Sequence, residues 1–156
     1  DNPNIHPFTE FRMRRNTLVD YAKEIGLSLV VEGGYGLRPF LEAVGGDFDG
    51  RCPVCYRLRM RSAARYAAEN GFTHFTTTLL ISPYQNHEML AETAREAAEE
   101  FGVSFLYRDF RPSFREGQDR ARAMGLYMQK YCGCIFSEEE RYMAAKWKKK
   151  AARSSL

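Results

Sequence analysis

The sequence predicts an α/β fold in which helices connect the strands of one parallel sheet. Three observations favour this class. Apolar residues recur at helical spacing in several long segments. Short runs rich in branched and aromatic residues lie between those segments, and glycines separate the two kinds of segment. Because each strand is followed by a helix, the strands are expected to run parallel and to carry ligand-binding loops at their carboxyl ends.

The N-terminal half predicts three helices and two strands after a loop that two prolines hold extended, Asn2–Pro7. Thr9 is the expected N-cap of the first helix, and Gly26 is expected to end it. Pro53 suits the first turn of the third helix. In order, the predicted elements are a helix over 9–25, a strand over 27–31, a helix over 37–44, a helix over 53–69 and a strand over 72–80.

The C-terminal half predicts three helices and one strand. Ser113 is the expected N-cap of the second of these helices, and Ser137 with the glutamates that follow it resembles a capping box for the last. In order, the predicted elements are a helix over 87–101, a strand over 103–107, a helix over 114–124 and a basic helix after 137 with a frayed tail from about residue 149. No repeat or linker divides the chain, so residues 1–156 are expected to form a single domain.

Composition limits the functional classes. No apolar run approaches the ~20 residues of a membrane-spanning helix. The opening residues, Asp1–Asn4, lack the basic and apolar regions of an export signal, which favours a reducing, cytoplasmic compartment for the cysteines. The net charge is +3, and arginines cluster around both cysteine pairs. Such a basic surface would suit a phosphate-bearing partner, although solvated helix faces explain most charged patches of this kind.

All four cysteines fall in two tight pairs, Cys52-Pro53-Val54-Cys55 and Cys132-Gly133-Cys134. If folding brings the pairs together, four thiolates suit a zinc ion or an iron–sulfur cluster, and spacing alone does not choose between them. A zinc staple is disfavoured because the second spacing is shorter than usual and an α/β domain does not need one. A thioredoxin-like pair at the start of a helix is a further alternative, but it would leave the second pair without a role.

Other candidate side chains lie in the loops around the predicted sheet. Asp109 ends the third strand and could donate a proton, bind a metal or form a salt bridge with a neighbouring arginine such as Arg111. Ser82, in the loop after the second strand, and Arg111 are candidates for binding a substrate. His6 could act on a substrate or stabilise the opening loop. Tyr131, beside the second cysteine pair, could stack on a base or pack in the core.

Five segments in this order closely resemble the QueH-type epoxyqueuosine reductases. They are Asn2–Pro7, Cys52–Met60, Thr76–Pro83 with Asn86, Asp109–Pro112 and Tyr127–Ser137, and they extend over nearly the whole chain. The resemblance implies a three-layer parallel sheet of the HUP, or adenine-nucleotide α-hydrolase, kind. It implies a cobalamin-independent reductase that converts epoxyqueuosine to queuosine at the wobble position of tRNA, the last step of queuosine synthesis. It also implies a [4Fe-4S] cluster, with or without an additional iron ion, an unidentified electron donor and the tRNA anticodon stem-loop as partner.

Residue by residue, the resemblance maps the four cysteines onto the family's metal site, without dividing them between cluster and second iron. Asp109 and Arg111 match an Asp-Phe-Arg stretch of the family, and Ser82 matches its Ser-Pro loop. The family begins with a strand bearing a Cys-Cys pair, whereas this chain starts at the loop that follows. We therefore expect a shortened chain without the first strand, with an exposed sheet edge and an incomplete metal site. A zinc-stabilised RNA-binding module and an ATP-using thiolation enzyme are the competing interpretations.

Overall fold

The computed structural model describes the backbone of residues 1–154 and the side chains of residues 1–144. It is a mixed helix and sheet structure, as the predicted fold class requires. In chain order the elements are α1 Phe8–Glu24, α2 Leu37–Val44, α3 Arg51–Glu69, β1 His74–Phe75, a 3₁₀ helix Thr78–Ile81, α4 His87–Phe101, β2 Ser104–Phe105, a 3₁₀ helix Arg111–Ser113, α5 Phe114–Ala123 and α6 Ile135–Ser154. The side chains of the predicted frayed tail, from about residue 149, all lie outside the described ones, and the fraying stays a prediction.

The described sheet contains two short parallel strands. His74 pairs with Ser104 and Phe75 with Phe105. This pairing confirms the predicted parallel orientation, which is possible because α4 carries the chain from one strand to the next. The three-layer HUP sheet stays a prediction. Both strands are shorter than predicted. The hydroxyl of Thr77 accepts the amide of Leu79 at 3.3 Å and starts a 3₁₀ helix, so the first strand stops before it.

The predicted strand over residues 27–31 was wrong. These residues form no strand with any part of the chain that the structure describes. Leu27, Val30 and Val31 are each more than half exposed. Branched apolar residues favour an extended backbone, but a strand also needs a neighbouring strand for its hydrogen bonds, and none lies beside this run within residues 1–154.

Several helix ends differ from the predictions. Helix α1 begins at Phe8 with Pro7 as its N-cap, so Thr9 lies inside the first turn. Helix α6 begins at Ile135, which puts Ser137 inside the helix and rules out the capping box. Ser113 occupies the N-cap of α5, but its side chain makes no capping hydrogen bond. Helices α2 and α4 have the predicted bounds.

Two apolar clusters hold the elements together. In the first, α3 packs against α4 and the strands through buried residues that include Met60, Leu80 and Leu90. The small side chains of Ala94 and Ala97 on α4 let the two helices approach closely. The second cluster joins α2, the start of α3 and the start of α6. Its buried members are Phe40, Val44 and Cys134, and its partly buried members are Val54, Cys55, Leu58 and Phe136.

None of the helices in the described part of the chain is long and apolar enough to cross a membrane.

Candidate metal centre

The two cysteine pairs lie at the starts of two helices that meet in the second apolar cluster. Cys52 and Cys55 fall in the first turns of α3, and Cys134 directly precedes α6. All four thiols are free. Cys134 is buried and Cys55 partly so, whereas Cys52 and Cys132 are exposed. The fold therefore brings two distant segments together, with one thiol of each pair inside and one at the surface.

The thiols also share one electrostatic neighbourhood. The pKa of Cys55 is raised to about 12, mainly by burial, and negative charge on Cys132 and Cys134 acts in the same direction. Burial likewise raises the pKa of Cys134, where charge on Cys132 acts in the same direction. For Cys52, burial again raises the pKa, and the charges of Cys132 and Cys134 add to it. Four thiolates in this place are therefore costly unless a cation binds between them.

Arg51 brings a fixed positive charge to this neighbourhood. Its guanidinium donates to the Phe48 carbonyl at 2.6 Å, forms an ion pair with Glu140 and lies 5.4 Å from the ring centre of Phe136. Burial alone would lower the pKa of Arg51. The hydrogen bond and charge of Glu140, and then the Cys134 thiol nearby, outweigh burial, so the pKa is raised. Arg51 stays charged beside Cys134 and offsets negative charge there.

Arg59 lies near Cys55, as Arg51 lies near Cys134. Burial lowers the pKa of Arg59, while negative charge on the nearby Cys55 acts in the opposite direction. The charge of Arg59 in turn lowers the pKa of Cys55 against the effect of burial. One guanidinium thus accompanies the inner thiol of each cysteine pair.

The donor set fits an anionic metal–thiolate group, because four soft sulfur ligands stand with two compensating arginines. Among the described side chains, however, no group of three or more His, Cys, Asp or Glu residues is arranged so that it could hold a metal ion as it stands. The two cysteine pairs lie in one region of the molecule, but their sulfur atoms are not arranged around a common metal position. Cys52 and Cys132 are exposed, and exposed side chains change rotamer at low cost.

The opening loop, Asn2–Pro7, holds the second cysteine segment, which covers residues 127–134. The amide of His6 donates to the Gly133 carbonyl at 2.7 Å, and the Tyr131 hydroxyl donates to the His6 carbonyl at 2.6 Å. The His6 ring is fully buried beside the Pro3 carbonyl, and burial lowers the pKa of the imidazole. Burial also raises the pKa of the Tyr131 hydroxyl. In this structure both predicted substrate-binding residues hold the loop to the cysteine segment, and substrate contact by either stays a prediction.

Arg14, which no sequence motif marks, also holds this segment. Its guanidinium donates to the carbonyls of Tyr131 at 2.9 Å and Cys132 at 3.1 Å, and to the Gln129 side chain at 2.8 Å. Arg14 and Cys132 are 118 positions apart. The only local signal is an acidic residue four positions earlier, Glu10, and that spacing is common on any helix surface.

The loops after the two strands also meet, as the predicted arrangement of the sheet rim requires. The Phe110 amide donates to the Leu80 carbonyl at 3.2 Å. Ser82, in the adjoining loop, accepts the Tyr84 amide on its hydroxyl at 3.3 Å, and its carbonyl lies 3.0 Å from His87 Nε2. Ser82 is thus used within its own loop, and its predicted contact with a substrate stays a prediction.

Tyr56 connects this loop to the cysteines and was also missed from the sequence. Its hydroxyl donates to the Gln85 side chain at 2.8 Å and accepts the Asn86 amide at 3.2 Å. Burial raises the pKa of Tyr56 to about 12, and charges on Cys52 and Cys55 act in the same direction. Helix α3 therefore places the first cysteine pair and the support for the Ser82 loop within one turn of each other.

Asp109 forms the salt bridge that was one of its predicted alternatives. Its carboxylate accepts the backbone amide of Arg111 at 3.0 Å and two guanidinium nitrogens at 2.9 and 2.7 Å. These hydrogen bonds lower the pKa of Asp109 to about 2, and His87 contributes a smaller effect in the same direction. Asp109 is consequently ionised at neutral pH, which favours an orienting role for this carboxylate over proton donation.

We expect this pKa to depend on Arg111. In the Arg111→Ala protein the carboxyl group of Asp109 should titrate near its ordinary value of 3.8 instead of about 2. Because the folded-state pKa is depressed, the ion pair stabilises the loop above about pH 4 and loses that effect as the pH falls towards 2. Carboxyl carbon shifts measured by NMR across this range would check it. Arg108→Ala, which removes a neighbouring arginine without this contact, should leave the titration unchanged.

Comparison with known proteins places this chain in an enzyme family. The family model described as "Epoxyqueuosine reductase QueH" matches residues 1–140. A protein of that name from Dehalococcoides mccartyi is 38% identical over 141 residues, which cover 90% of this chain and 78% of the relative. One from Thermotoga maritima is 34% identical over 150 residues with the same shares. One from Haemophilus influenzae is 28% identical over 164 residues, covering 99% of this chain and 65% of the relative.

The names of these relatives describe oxidoreductases, and the chain falls in that class of enzymes. It belongs to the epoxyqueuosine reductase QueH family, as the five sequence segments predicted. The matched region contains all four cysteines and both loops of the sheet rim.

Proposed function

We propose that this chain reduces epoxyqueuosine to queuosine at the wobble position of tRNA, the last step of queuosine synthesis. Removal of the epoxide oxygen as water consumes two electrons and two protons, so the reaction needs an electron donor, which is not identified. The observation that supports this proposal most is that the two cysteine pairs of this QueH-family chain lie at the starts of two helices that meet in one apolar cluster. A tRNA substrate would place the enzyme in the cytoplasm.

We assign the metal site to the four cysteines, Cys52, Cys55, Cys132 and Cys134. When bound there, a [4Fe-4S] cluster, with or without an additional iron ion, would supply electrons one at a time. Arg51 and Arg59 would offset the negative charge of the inner thiolates, since each guanidinium lies near one of them. The proposal includes the HUP-type sheet, in which β1 and β2 would be two neighbouring parallel strands.

The observed ion pair favours one of two sources for the proton. Asp109, with a pKa of about 2, carries no proton at neutral pH, so a water molecule is the better donor to the leaving oxygen. The Asp109 carboxylate instead holds the guanidinium of Arg111 in place at the rim. Arg111, nearly half exposed, can then bind a phosphate or a sugar hydroxyl of the substrate.

The anticodon stem-loop would bind where arginines and exposed aromatic rings occur together. Tyr84 is 83% exposed and packs edge-on against Phe114, with ring centres 5.8 Å apart. Arg108 lies 5.5 Å from the ring centre of Phe110 beside the same loops. Rings of this kind stack on bases that leave a loop, and the arginines would bind phosphates.

The direct test is conversion of the modified nucleoside. The protein is purified without oxygen, incubated with tRNA carrying epoxyqueuosine and with dithionite as reductant, and the tRNA is digested for mass spectrometry. We expect a product lighter by one oxygen atom, and none with heat-denatured protein. A folded, iron-loaded protein that leaves the nucleoside unchanged would contradict the proposal. A zinc-loaded protein that binds tRNA without converting it would support the RNA-binding alternative.

A further inference from the structure

Arg14 uses its whole guanidinium on contacts within the protein. Nε donates to Glu10 at 2.7 Å, and Nη2 donates to the Tyr131 carbonyl at 2.9 Å. Nη1 donates to the Gln129 side chain at 2.8 Å and to the Cys132 carbonyl at 3.1 Å. The Arg14 side chain is only 12% exposed. A single side chain of α1 thus binds two successive carbonyls of the second cysteine segment.

The carboxylate of Glu10 holds the Arg14 guanidinium in place. Its side chain is 10% exposed and is paired with Arg14, four positions further along α1. The other carboxylate oxygen accepts the hydroxyl of Tyr127, and that hydrogen bond raises the pKa of Tyr127. The carboxylate therefore ties both Arg14 and the beginning of the cysteine segment to the same helix. A charged pair this well buried has little freedom to rotate, so it fixes geometry as well as charge.

The surroundings of Gly133 show how closely the Arg14 guanidinium approaches the backbone between the two cysteines. A Cβ atom at Gly133 would lie 3.2 Å from Arg14 Nη1 and 3.1 Å from Ile5 Cγ1. Gly133 also has a φ of +124°, which side-chain-bearing residues rarely adopt. The guanidinium and the opening loop together fill the space that a side chain would need. This contact gives a physical reason for glycine between the two cysteines.

We propose that Arg14 is a positioning residue for the Cys132-Gly133-Cys134 segment, setting the backbone so that its cysteines can bind a metal together with Cys52 and Cys55. Fixing the carbonyls of Tyr131 and Cys132 fixes the peptide planes on both sides of the Cys132 Cα atom, and hence the position of its Cβ atom. The metal-binding part of this inference rests on the proposed function. The backbone part does not, because it concerns the segment alone.

Hydrogen–deuterium exchange tests the backbone part without any metal. In Arg14→Ala, amides in the segment over residues 129–134 should exchange faster than in the parent protein, while those of α4 should exchange at the same rate. Arg12→Ala is the matched control, since Arg12 is an exposed arginine of the same helix. Unchanged exchange in the segment of a folded Arg14→Ala protein would overturn the inference, whether or not the protein binds metal.

Anaerobic titration with cobalt(II) alone tests the metal part, because cobalt–thiolate absorption reports how many sulfurs bind. We expect Arg14→Ala to bind cobalt about 10-fold or more weakly, as loss of a ligand-supporting contact typically does, and with weaker thiolate absorption. Arg12→Ala should match the parent protein. Arg14→Lys keeps the charge but has fewer donors in a different geometry, so its affinity should fall between the two.

The outcomes separate the two proposals. Absence of cobalt–thiolate absorption in the parent protein would contradict the metal site of the proposed function, and the exchange data would then decide the role of Arg14 alone. If Arg14→Ala does not fold, Arg14→Lys takes its place. A folded Arg14→Lys protein that matches the parent in both measurements would overturn the positioning role.

Discussion

Replacement of Cys132 by serine is expected to abolish epoxyqueuosine reduction, with a fall in rate of more than about 100-fold. Serine is isosteric, but its oxygen is a poor ligand for iron–sulfur chemistry, which prefers soft thiolates. Cys132 is exposed, so the substitution should leave folding intact. The loss should therefore appear as missing iron and missing activity, at an unfolding midpoint equal to that of the metal-free parent protein. Metal analysis, the nucleoside assay and thermal unfolding on the same preparation would check it.

Lys130→Ala is the matched control for this variant. Lys130 is an exposed residue two positions before Cys132 and is not one of the proposed metal ligands. Its replacement should leave both iron content and turnover close to those of the parent protein. A Cys132→Ser protein that retained full iron and full turnover would show that Cys132 is not a ligand, and the four-cysteine assignment would fall.

The second large effect concerns the apolar cluster behind the cysteines. Phe40 is fully buried in contact with the cluster that contains Val44 and Cys134, and its ring centre lies 5.4 Å from that of His6. Truncation to alanine should lower the free energy of unfolding by about 3–5 kcal/mol, because it leaves a cavity that the neighbours cannot fill. Urea denaturation followed by circular dichroism would measure the change.

Leu41→Ala provides the comparison, since Leu41 is the next residue of α2 and is 36% exposed. Its replacement should cost less than about 1 kcal/mol. If Phe40→Ala were no more destabilising than Leu41→Ala, Phe40 would not be the packed centre of this cluster. The cluster would then not explain how α2, α3 and the second cysteine segment are held together.

The sequence predicted the helices better than the sheet, for a physical reason. Helix α4 is specified locally: Asn86 caps it with a hydrogen bond to the Met89 amide, and Gly102 ends it in the left-handed conformation. Strands depend on partners elsewhere in the chain. The branched run over residues 27–31 therefore looked like a strand although it pairs with nothing in the described structure, and the strand predicted over 72–80 was cut short by the local turn at Thr77.

The candidate site divides in the same way. The cysteine pairs could be predicted because close spacing within each pair is a local signal. Arg14 and Tyr56 could not, since each acts on a segment distant in sequence and resembles an ordinary helix residue in its own neighbourhood. The burial of His6 could not be predicted from the sequence either, because it comes from distant rings that pack around the imidazole. These are Phe40 of α2 and Tyr35 of the preceding loop.

The most direct test of the central claim is Mössbauer spectroscopy, with iron and acid-labile sulfide analysis, on protein loaded with ⁵⁷Fe without oxygen. If the two cysteine pairs hold one iron–sulfur group, the spectrum should show thiolate-ligated cluster iron with matching sulfide, and both should disappear in Cys132→Ser. A folded protein that takes up zinc but no iron, or that keeps its cluster spectrum when Cys132 is replaced, would contradict the claim.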